Sequence, residues 1–307
     1  MGTGTAPDIP SAHAVTLKVV RTIAELRAEL GPGRRRSSEP SVGLVPTMGA
    51  FHEGHLSLMR RARAACDVVV VSLFVNPSQF NDASDLAAYP RDEARDRALA
   101  AALGIDYLFV PAPEAIYPPG FATTVVVDGV TAGLETAHRG PEHFRGVATV
   151  VAKLLNIVAP DVVYFGQKDA QQAATVKRMV RDLDMPVRVD VCPTVRGADG
   201  LALSSRNVLL GAEERERAPA LHRALRAVAD RLLAGERDPE RAVAAGQAEL
   251  WAAGLVAEYL LVVDPATMVP LQRVDGEALV VVAARLGAVR LIDNLPVMPA
   301  PVVAGVH

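Results

Sequence analysis

The sequence has 307 residues, of which 50% are hydrophobic and 22% are charged, and its formal net charge at pH 7 is -3. A chain of this length and composition is long enough for two globular domains with a sizeable core, and it is not typical of a disordered protein. The small negative charge disfavours nucleic acid as a partner, because binding to a polyanion requires a strongly basic face.

Strand and helix patterns alternate along most of the chain. Residues 15–30 have a helix-like pattern, and a basic loop rich in Gly, Pro and Ser follows at 31–40. Apolar runs without polar alternation indicate strands covered on both faces. The predicted strands are 42–46, 68–75, 105–110, 123–127, 162–166 and 187–193, and the predicted helices are 54–65, 91–103, 145–158 and 168–183. This alternation predicts an α/β fold, a Rossmann-like doubly wound parallel sheet, over residues 15–194.

The pattern changes beyond residue 194. A long helix pattern at 212–234 precedes two strand-rich segments, EYLLVVDP at 258–265 and ALVVVAARLGAVRLIDNL at 278–295. The second segment has Gly287 near its middle and is typical of a hairpin. We therefore expect a small α+β domain over residues 195–307, and a flexible tail at 1–14.

The cysteines and the N-terminal residues indicate the cellular compartment of the protein. Cys66 and Cys192 are far apart in apolar patterns, which indicates buried free thiols in a reducing compartment. The first residues lack the basic start and apolar run of a secretory signal. No window reaches the ~20 apolar residues of a membrane span. We expect a cytoplasmic protein with no membrane partner.

The stretch PTMGAFHEGHLSL at 46–58 follows the first long strand pattern. Gly49 and Gly54 permit a close approach of the backbone to a ligand, and the amides at a helix N-terminus attract anions. His52 and His55 can then donate hydrogen bonds to phosphate oxygens. A zinc site is disfavoured, because His-Glu-Gly-His is one residue shorter than His-Glu-x-x-His and contains a glycine. Taken alone, the stretch is also compatible with a turn capped by two histidines.

Polar residues also follow the strand patterns that end at 75 and 166. Asn76 and Gln79 offer neutral amides that recognise hydroxyl and carboxylate groups. Lys168 can contact a phosphate, Asp169 can hold a ribose or orient Lys168, and Gln172 lies one helical turn beyond. Ligands on doubly wound sheets bind beyond the carboxyl ends of the strands. Taken singly, Asn76 before Pro77 commonly opens a turn, and each of Lys168, Asp169 and Gln172 is more often a solvated residue at a helix start.

The loop at 203–207 carries Ser204, Ser205 and Arg206. Two hydroxyls followed by a guanidinium suit a mobile loop that closes over a polyphosphate, with bidentate contacts from Arg206. A capped helix start or a Ser-rich turn is the structural alternative.

Taken together, in this order and at this spacing, six segments resemble the pantothenate synthetases, which are pantoate–β-alanine ligases of the HIGH-motif nucleotidyltransferase superfamily. They are PTMGAFHEGHLSL, VSLFVNPSQF, YPRD, HFRGVATVVAKLLNIVAPDVVYFGQKDAQQ, PTVR and SSRN. The resemblance implies that pantoate attacks the α-phosphate of ATP to give pantoyl adenylate and pyrophosphate, after which β-alanine displaces AMP. Such in-line chemistry needs positioning and charge stabilisation and no enzyme nucleophile. The resemblance also implies magnesium, a homodimer and a C-terminal domain that forms a lid.

The resemblance further assigns roles to residues of this sequence. Those implied in catalysis are His52, His55 (usually called the proton donor), Lys168, Ser204, Ser205 and Arg206. Those implied in ATP binding are Pro46, Thr47, Met48, Gly49, His52, Gly54, His55, Gly166, Gln167, Lys168, Asp169, Val195, Leu203, Ser204, Ser205 and Arg206. Those implied in binding pantoate and β-alanine are Met48, Asn76, Gln79, Val150, Val151 and Gln172. Asp96 matches an acidic position associated with magnesium.

Some positions depart from the family pattern. The segment 139–143 has one residue more than the usual Arg-Pro-x-His, and this extra residue weakens the expectation that Arg139 binds a phosphate. Gln167 stands where many members have Glu, and Leu203 replaces a frequent Met with little change in volume. Arg95 stands beside Asp96 where some members have an acid, so we expect magnesium to rest mainly on ATP oxygens and water.

Other functions share parts of this pattern. A dinucleotide-forming adenylyltransferase or a small aminoacyl-tRNA synthetase also carries the histidine turn. The synthetase requires an anticodon-binding domain and a Lys-rich second motif, and neither pattern is seen in the sequence. The adenylyltransferase leaves the paired amides of Gln79 and Gln172 unexplained. A module that only binds ATP predicts nucleotide binding without release of pyrophosphate.

Overall fold

The structure is a computed structural model that describes residues 16–31, 40–81 and 83–300. The predicted tail at 1–14 and residues 32–39 of the predicted basic loop lie outside these ranges. The strands of the described chain are β1 Lys18–Val20, β2 Val42–Thr47, β3 Val68–Leu73, β4 Tyr107–Phe109, β5 Val162–Gly166, β6 Arg188–Cys192, β7 Ala257–Val263, β8 Ala278–Leu286 and β9 Val289–Val297.

Helices connect most of these strands. They are α1 Ile23–Leu30, α2 Glu53–Ala65, α3 Ala83–Ala88, α4 Glu93–Ala102, α5 Pro113–Ile116, α6 Glu135–Arg139, α7 Pro141–Val158, α8 Ala170–Asp182, α9 Ala212–Arg217, α10 Ala220–Leu233 and α11 Pro239–Ala252. Short 3₁₀ turns occupy Pro77–Gln79, Gln167–Asp169 and Ser205–Leu209. No helix among the described residues is long and apolar enough to cross a bilayer.

In the described chain, β1 to β6 form one parallel sheet in the order β1-β4-β3-β2-β5-β6. β2 pairs with β3 over its whole length, from Val42 against Val68 to Thr47 against Leu73. On its other edge, β2 pairs with β5. The direction of winding reverses between β2 and β5, which opens a crevice beyond their carboxyl ends. The predicted doubly wound parallel sheet is confirmed.

The sequence of the central strands follows from burial on both faces. Leu44 of β2 and Val70 of β3 belong to the apolar cluster that includes half of the residues of α7. The next residues along each strand, Val45 and Val71, belong to the cluster on the other face, which includes Met59 of α2. Because both faces are covered, these strands have no polar alternation.

The C-terminal part contains an antiparallel sheet in the order β7-β8-β9. β8 and β9 form the predicted hairpin, with Gly287 in its turn at φ 57°. Val280 and Val282 of β8 pack in the cluster that includes α10 and α11. Leu279 and Val281, on the opposite face, join the core of the parallel sheet. The hairpin therefore packs against both parts of the chain.

Two predictions in the first half of the chain are wrong. The helix-like pattern at 15–30 is a strand, β1, followed by the shorter α1, whose N-cap Thr22 accepts a hydrogen bond from the Glu25 amide. The predicted strand at 123–127 does not form in this described segment, since the Val125 amide donates to Oγ1 of Thr149 at 2.9 Å and pairs with no strand. A strand pattern needs a free sheet edge beside it.

The prediction of a single helix at 212–234 is also wrong, because the chain forms α9 and α10 on either side of a break at Ala218 and Pro219. Proline has no N–H to continue the helix. Helix α11 has no counterpart in the sequence-based expectations. Its Gly246 lies so close to α10 that an added Cβ would stand 2.8 Å from the Ala224 carbonyl oxygen. This close contact explains a glycine inside the helix.

Candidate active site

A cavity of about 520 Å³ lies beyond the carboxyl ends of the central strands and under the C-terminal part. This volume is in the range of small-molecule sites. The predicted site residues that line the cavity are Pro46, Thr47, Met48, His52, Gly54, His55, Asn76, Gln79, Val150, Val151, Gly166, Lys168, Asp169, Gln172, Val195, Leu203, Ser204, Ser205 and Arg206. Loops far apart in sequence thus meet at the crevice that the sheet topology predicts.

The histidine turn begins helix α2. His52 is the N-cap, and its Nδ1 accepts a hydrogen bond from the Gly54 amide at 3.1 Å. Nδ1 of His55 accepts from the His52 amide at 3.3 Å. Because Nδ1 is an acceptor in both rings, a neutral ring carries its hydrogen on Nε2. Each histidine therefore caps the helix through Nδ1 and keeps Nε2 as a donor for a ligand. Glu53 between them pairs with the exposed Arg60.

Both histidines are neutral near pH 7. Burial, together with the neighbouring His52, lowers the pKa of His55 from 6.5 to about 3. Burial and the positive charge of Lys168 also lower the pKa of His52. Two neutral N–H donors at the N-terminus of a helix suit an anion, because the helix amides and dipole favour negative charge there.

Positive side chains line the neighbouring wall. Lys168 follows β5, and its Nζ lies 3.9 Å from Oδ1 of Asp169. Loss of water opposes ionisation of Asp169, but Lys168, Arg139 and Arg206 hold the pKa of its carboxyl below the ordinary value. Loss of water around Arg206 and the nearby charge of Arg139 lower the pKa of its guanidinium. The positive charges of Arg139 and Arg206 on this wall therefore repel each other, and a bound polyphosphate would relieve the repulsion.

A buried ion pair fixes Arg139. Nε of Arg139 donates to Oε2 of Glu135 at 3.1 Å. Arg290 of β9 donates to both oxygens of Glu135 at 2.8 Å, and the Tyr259 hydroxyl of β7 donates at 2.7 Å. Burial opposes ionisation of Glu135, but these partners lower its pKa to about 2. The C-terminal sheet therefore helps to set the position of an arginine in the cavity wall.

The side of the cavity that carries the amide side chains of Asn76 and Gln79 is held by hydrogen bonds within the protein. Asn76 is 1% exposed, and its Nδ2 donates to Oε1 of Gln79 at 3.0 Å and to the Gly146 carbonyl at 3.2 Å. Its Oδ1 accepts from the hydroxyl of Tyr117 at 2.9 Å. Nε2 of Gln79 contacts the sulfur of Met48 at 3.1 Å, which is a weak acceptor. Asn76 thus fixes Oε1 of Gln79, and the NH₂ group of Gln79, which has two N–H donors and only the weak contact to Met48, keeps a donor for a ligand.

The comparison with protein families decides the assignment. Residues 18–296 match the family model described as pantoate-beta-alanine ligase. The chain belongs to this family. It is 53% identical over 280 residues to a pantothenate synthetase of Cereibacter sphaeroides, covering 91% of this chain and 99% of the relative. It is 50% identical over 281 residues to that of Moorella thermoacetica, covering 91% and 98%. The ligase family joins pantoate and β-alanine at the expense of ATP, and this chain is an enzyme of that kind.

Solved structures of the ligase family have the same fold. The pantothenate synthetase of Thermus thermophilus matches with a TM-score of 0.85 at 49% identity, covering 92% of this chain and 100% of that one. The Francisella tularensis ligase matches with a TM-score of 0.74 at 33% identity, covering 91% and 97%. The latter was crystallised with beta-gamma ATP and beta-alanine. The Rossmann-like sheet and the small C-terminal α+β part are therefore features of the family.

Three predicted residues do not line the cavity: Gly49, Gln167 and Asp96. Gly49 lies in the turn before His52 at φ 87°, where glycine is favoured. Nε2 of Gln167 donates to Oδ1 of Asn294 at 2.9 Å, so this side chain turns away towards β9. Because its partner is another neutral amide, an uncharged Gln suits this position, where the family pattern often has Glu.

Asp96 does not offer the ligand set of a magnesium ion. Its two carboxylate oxygens accept hydrogen bonds from the amides of Ala50 and Phe51, each at 2.7 Å. Its side chain is 0% exposed. Within residues 16–31, 40–81 and 83–300, no group of three or more His, Cys, Asp or Glu side chains could hold a metal ion. The predicted magnesium role of Asp96 stays a prediction that this geometry does not support.

Several residues of the cavity wall have no site role among the sequence-based predictions. They are Tyr89, Glu135, His143, Tyr259, Asp293 and Asn294. Asp293 and Asn294 are 4% and 3% exposed within an otherwise apolar strand pattern. Adjacent buried polar residues in such a strand are a signal that could have identified them. Nδ1 of His143 lies 2.8 Å from the Gln79 carbonyl oxygen. Because the two residues are 64 positions apart, no local sequence pattern predicts this contact.

Proposed function

We propose that this ligase makes pantothenate in two steps within the one cavity, through a pantoyl-adenylate intermediate. The single observation that carries the proposal is the division of the cavity. One wall holds cations and neutral histidine donors at a helix N-terminus, and the other holds the oriented amide of Gln79 beside Gln172. A site with both walls can bring a polyphosphate and a small hydroxy acid into reacting distance.

In the first step, an oxygen of the pantoate carboxylate attacks the α-phosphorus of ATP, and the bond to the pyrophosphate oxygen breaks. Lys168 stabilises the charge that grows on the α-phosphate oxygens. His52 and His55 donate hydrogen bonds from Nε2 to the phosphates, and Arg206 and Arg139 bind the departing pyrophosphate. Because His55 is neutral, we assign it hydrogen-bond donation without transfer of a proton.

In the second step, the neutral amine of β-alanine attacks the acyl carbon of the adenylate. The bond between that carbon and the AMP oxygen breaks, the nitrogen loses a proton to solvent, and AMP leaves. Gln79 and Gln172 hold the hydroxyls and the carboxyl group of the pantoyl moiety through both steps. Val150 and Val151 contact the methyl groups of the same moiety. Amides suit this task because they bind hydroxyls without adding charge near the phosphates.

The proposal includes magnesium carried by the nucleotide. Its ligands would be ATP oxygens and water, as hard Mg²⁺ often prefers, and bound there it would neutralise phosphate charge. It also includes closure of the loop at 203–206 and of the C-terminal part, residues 195–307, as a lid over a domain at 15–194. Val195 and Leu203 line the cavity wall beside that loop, which supports contacts to the adenine.

Assembly and location are also proposals. We propose a homodimer that acts in the cytoplasm on small-molecule substrates, with neither nucleic acid nor membrane as a partner. Cys66 and Cys192 are free and buried, which fits a reducing compartment. Helix α7 buries most of its apolar residues inside its own chain, so the dimer contact would use other surfaces. Sedimentation of the purified protein tests the dimer.

The test of the two-step proposal is release of pyrophosphate from ATP with pantoate and Mg²⁺ but without β-alanine. We expect release that depends on pantoate, and formation of AMP only after β-alanine is added. Binding of ATP with no pantoate-dependent pyrophosphate would identify a module that only binds nucleotide. Release of pyrophosphate with a mononucleotide in place of pantoate would instead identify a dinucleotide-forming adenylyltransferase.

A further inference from the structure

Asp96 of helix α4 is enclosed by the turn that precedes the histidines. Its side chain is 0% exposed. Oδ2 accepts from the Ala50 amide and Oδ1 accepts from the Phe51 amide, each at 2.7 Å. Two consecutive amides thus point at one carboxylate, and both carboxylate oxygens are engaged. A hydrogen-bonded carboxylate with no exposure is poorly placed to bind a hydrated ion.

The turn held by Asp96 has an unusual backbone. Gly49 has φ 87° and Ala50 has φ 52°, so two successive residues occupy the left-handed region. A residue with a Cβ is uncommon there and needs support from its surroundings. A Cβ on Gly49 would lie 3.0 Å from Oδ2 of Asp96, so the backbone passes directly against the carboxylate. The position of the turn therefore depends on Asp96.

We propose that Asp96 is a positioning residue for the nucleotide site, which holds the turn at 49–51 so that His52 and the N-terminus of α2 face the phosphates. The inference deepens the proposed function, on which it rests. His52 follows Phe51 directly, and it is the N-cap whose amide also engages His55. A shift of the turn would move both histidines and the helix amides together. Asp96 would not bind magnesium itself.

The matched variants are Asp96→Asn and Asp92→Asn. Asparagine at 96 has the same shape, but its NH₂ group meets a backbone N–H and one hydrogen bond is lost. Asp92 is exposed at the start of the same helix, where its Oδ1 accepts from the Arg95 amide at 3.0 Å. The control removes a capping carboxylate from α4 without touching the turn. Asparagine remains a good N-cap, so we expect this control to fold and to work normally.

The experiment measures pantoate-dependent pyrophosphate release while ATP and Mg²⁺ are varied separately. For Asp96→Asn we expect kcat/KM for ATP to fall roughly tenfold or more, with the Mg²⁺ concentration at half-maximal rate changed less than about twofold. Binding of Mn²⁺ to the nucleotide-free protein should be the same in both variants and the wild type. Amide hydrogen exchange in the peptide that covers 48–52 should be faster in Asp96→Asn alone.

A backbone rescue separates positioning from loss of the fold. Ala50→Gly removes the Cβ that disfavours φ 52°, so adding it to Asp96→Asn should restore part of kcat/KM for ATP. A rise of fivefold or more in the Mg²⁺ requirement of Asp96→Asn, with normal exchange at 48–52, would overturn the inference. So would normal kinetics in this variant. Failure of wild-type pyrophosphate release would instead refute the proposed function.

Discussion

The side-chain amide of Asn294 donates hydrogen bonds to the backbone carbonyl oxygens of Gln167 and Lys168, both at 2.9 Å. Asn294 lies on β9, whereas the two carbonyls belong to the turn after β5. The Gln167 side chain completes the contact by donating to Oδ1 of Asn294 at 2.9 Å. The C-terminal sheet thus holds the backbone from which Lys168 reaches the cavity. Catalysis in the Rossmann-like part should therefore depend on a residue of the other part.

This relationship predicts unequal effects of two truncations. Asn294→Ala removes both hydrogen bonds to the backbone together with the contact to the Gln167 side chain, whereas Gln167→Ala removes only the side-chain contact. We expect Asn294→Ala to lower kcat for pyrophosphate release roughly tenfold, ~1.4 kcal/mol of barrier, and Gln167→Ala to lower it by less than about threefold. Steady-state kinetics with both variants would count against this role if the two losses were equal.

Lys168 should contribute mainly to the rate of adenylation. Lys168 lines the cavity, and in the proposed mechanism its ammonium neutralises charge on the α-phosphate, so Lys168→Ala should reduce kcat by well over tenfold, more than ~1.4 kcal/mol of barrier. Lys177 is exposed on α8, the helix that follows the turn of Lys168, and makes a matched control, for which we expect a normal rate. Single-turnover release of pyrophosphate is the measurement. A near-normal rate in Lys168→Ala would remove the assigned role.

Gln79 should act on pantoate and not on ATP. Its amide is turned by Asn76 towards the cavity, so Gln79→Ala should raise KM for pantoate by roughly tenfold, while KM for ATP changes less than about twofold. Gln247 is exposed on α11, and Gln247→Ala is the control with no expected effect. Initial rates at varied pantoate and varied ATP make the comparison. An effect confined to ATP would reassign the residue.

Buried neutral histidines should make the fold sensitive to acid. Burial and the nearby charge of Arg139 lower the pKa of His143 from 6.5 to about 4, so the unfolded chain binds the proton more readily than the folded chain. The resulting stability is complete above the unfolded pKa and is lost as pH falls from ~6.5 towards ~4. Replacing His143 by Gln should reduce the acid-induced loss by roughly 1 to 2 kcal/mol between pH ~6.5 and ~4.5. Denaturant unfolding at several pH values is the measurement. Parallel stability curves for the two proteins would contradict this prediction.

The sequence predicts the parallel sheet well because its strands are buried on both faces. Such strands are continuous apolar runs, and a helix pattern after each one implies a right-handed crossover. The predicted strand at 123–127 shows where this reasoning stops. Its residues have strand propensity, but strand formation also requires a neighbouring edge, and Thr149 satisfies the Val125 amide instead. The availability of an edge is a property of the whole sheet.

The candidate site divides in a similar way. Residues at the ends of strands, such as His52, Gln79 and Lys168, can be predicted because parallel strands bring their carboxyl ends to one edge. Asn294 and Glu135 act through partners more than a hundred positions away, 127 for Gln167 with Asn294 and 155 for Glu135 with Arg290. No local spacing encodes such contacts. For Asp96 the local pattern is misleading. Its position matches a family pattern associated with magnesium, but its carboxylate accepts hydrogen bonds from the backbone amides of Ala50 and Phe51.

The most direct test of the adenylate mechanism follows an oxygen atom. Pantoate labelled with heavy oxygen in its carboxylate is incubated with ATP, β-alanine, Mg²⁺ and the enzyme, and the nucleotide product is analysed by mass spectrometry. If the carboxylate attacks the α-phosphorus, one labelled oxygen stays on phosphorus when the amine displaces AMP. The account predicts AMP that carries one heavy oxygen and unlabelled pyrophosphate. Unlabelled AMP, or label in inorganic phosphate formed with ADP, would contradict it.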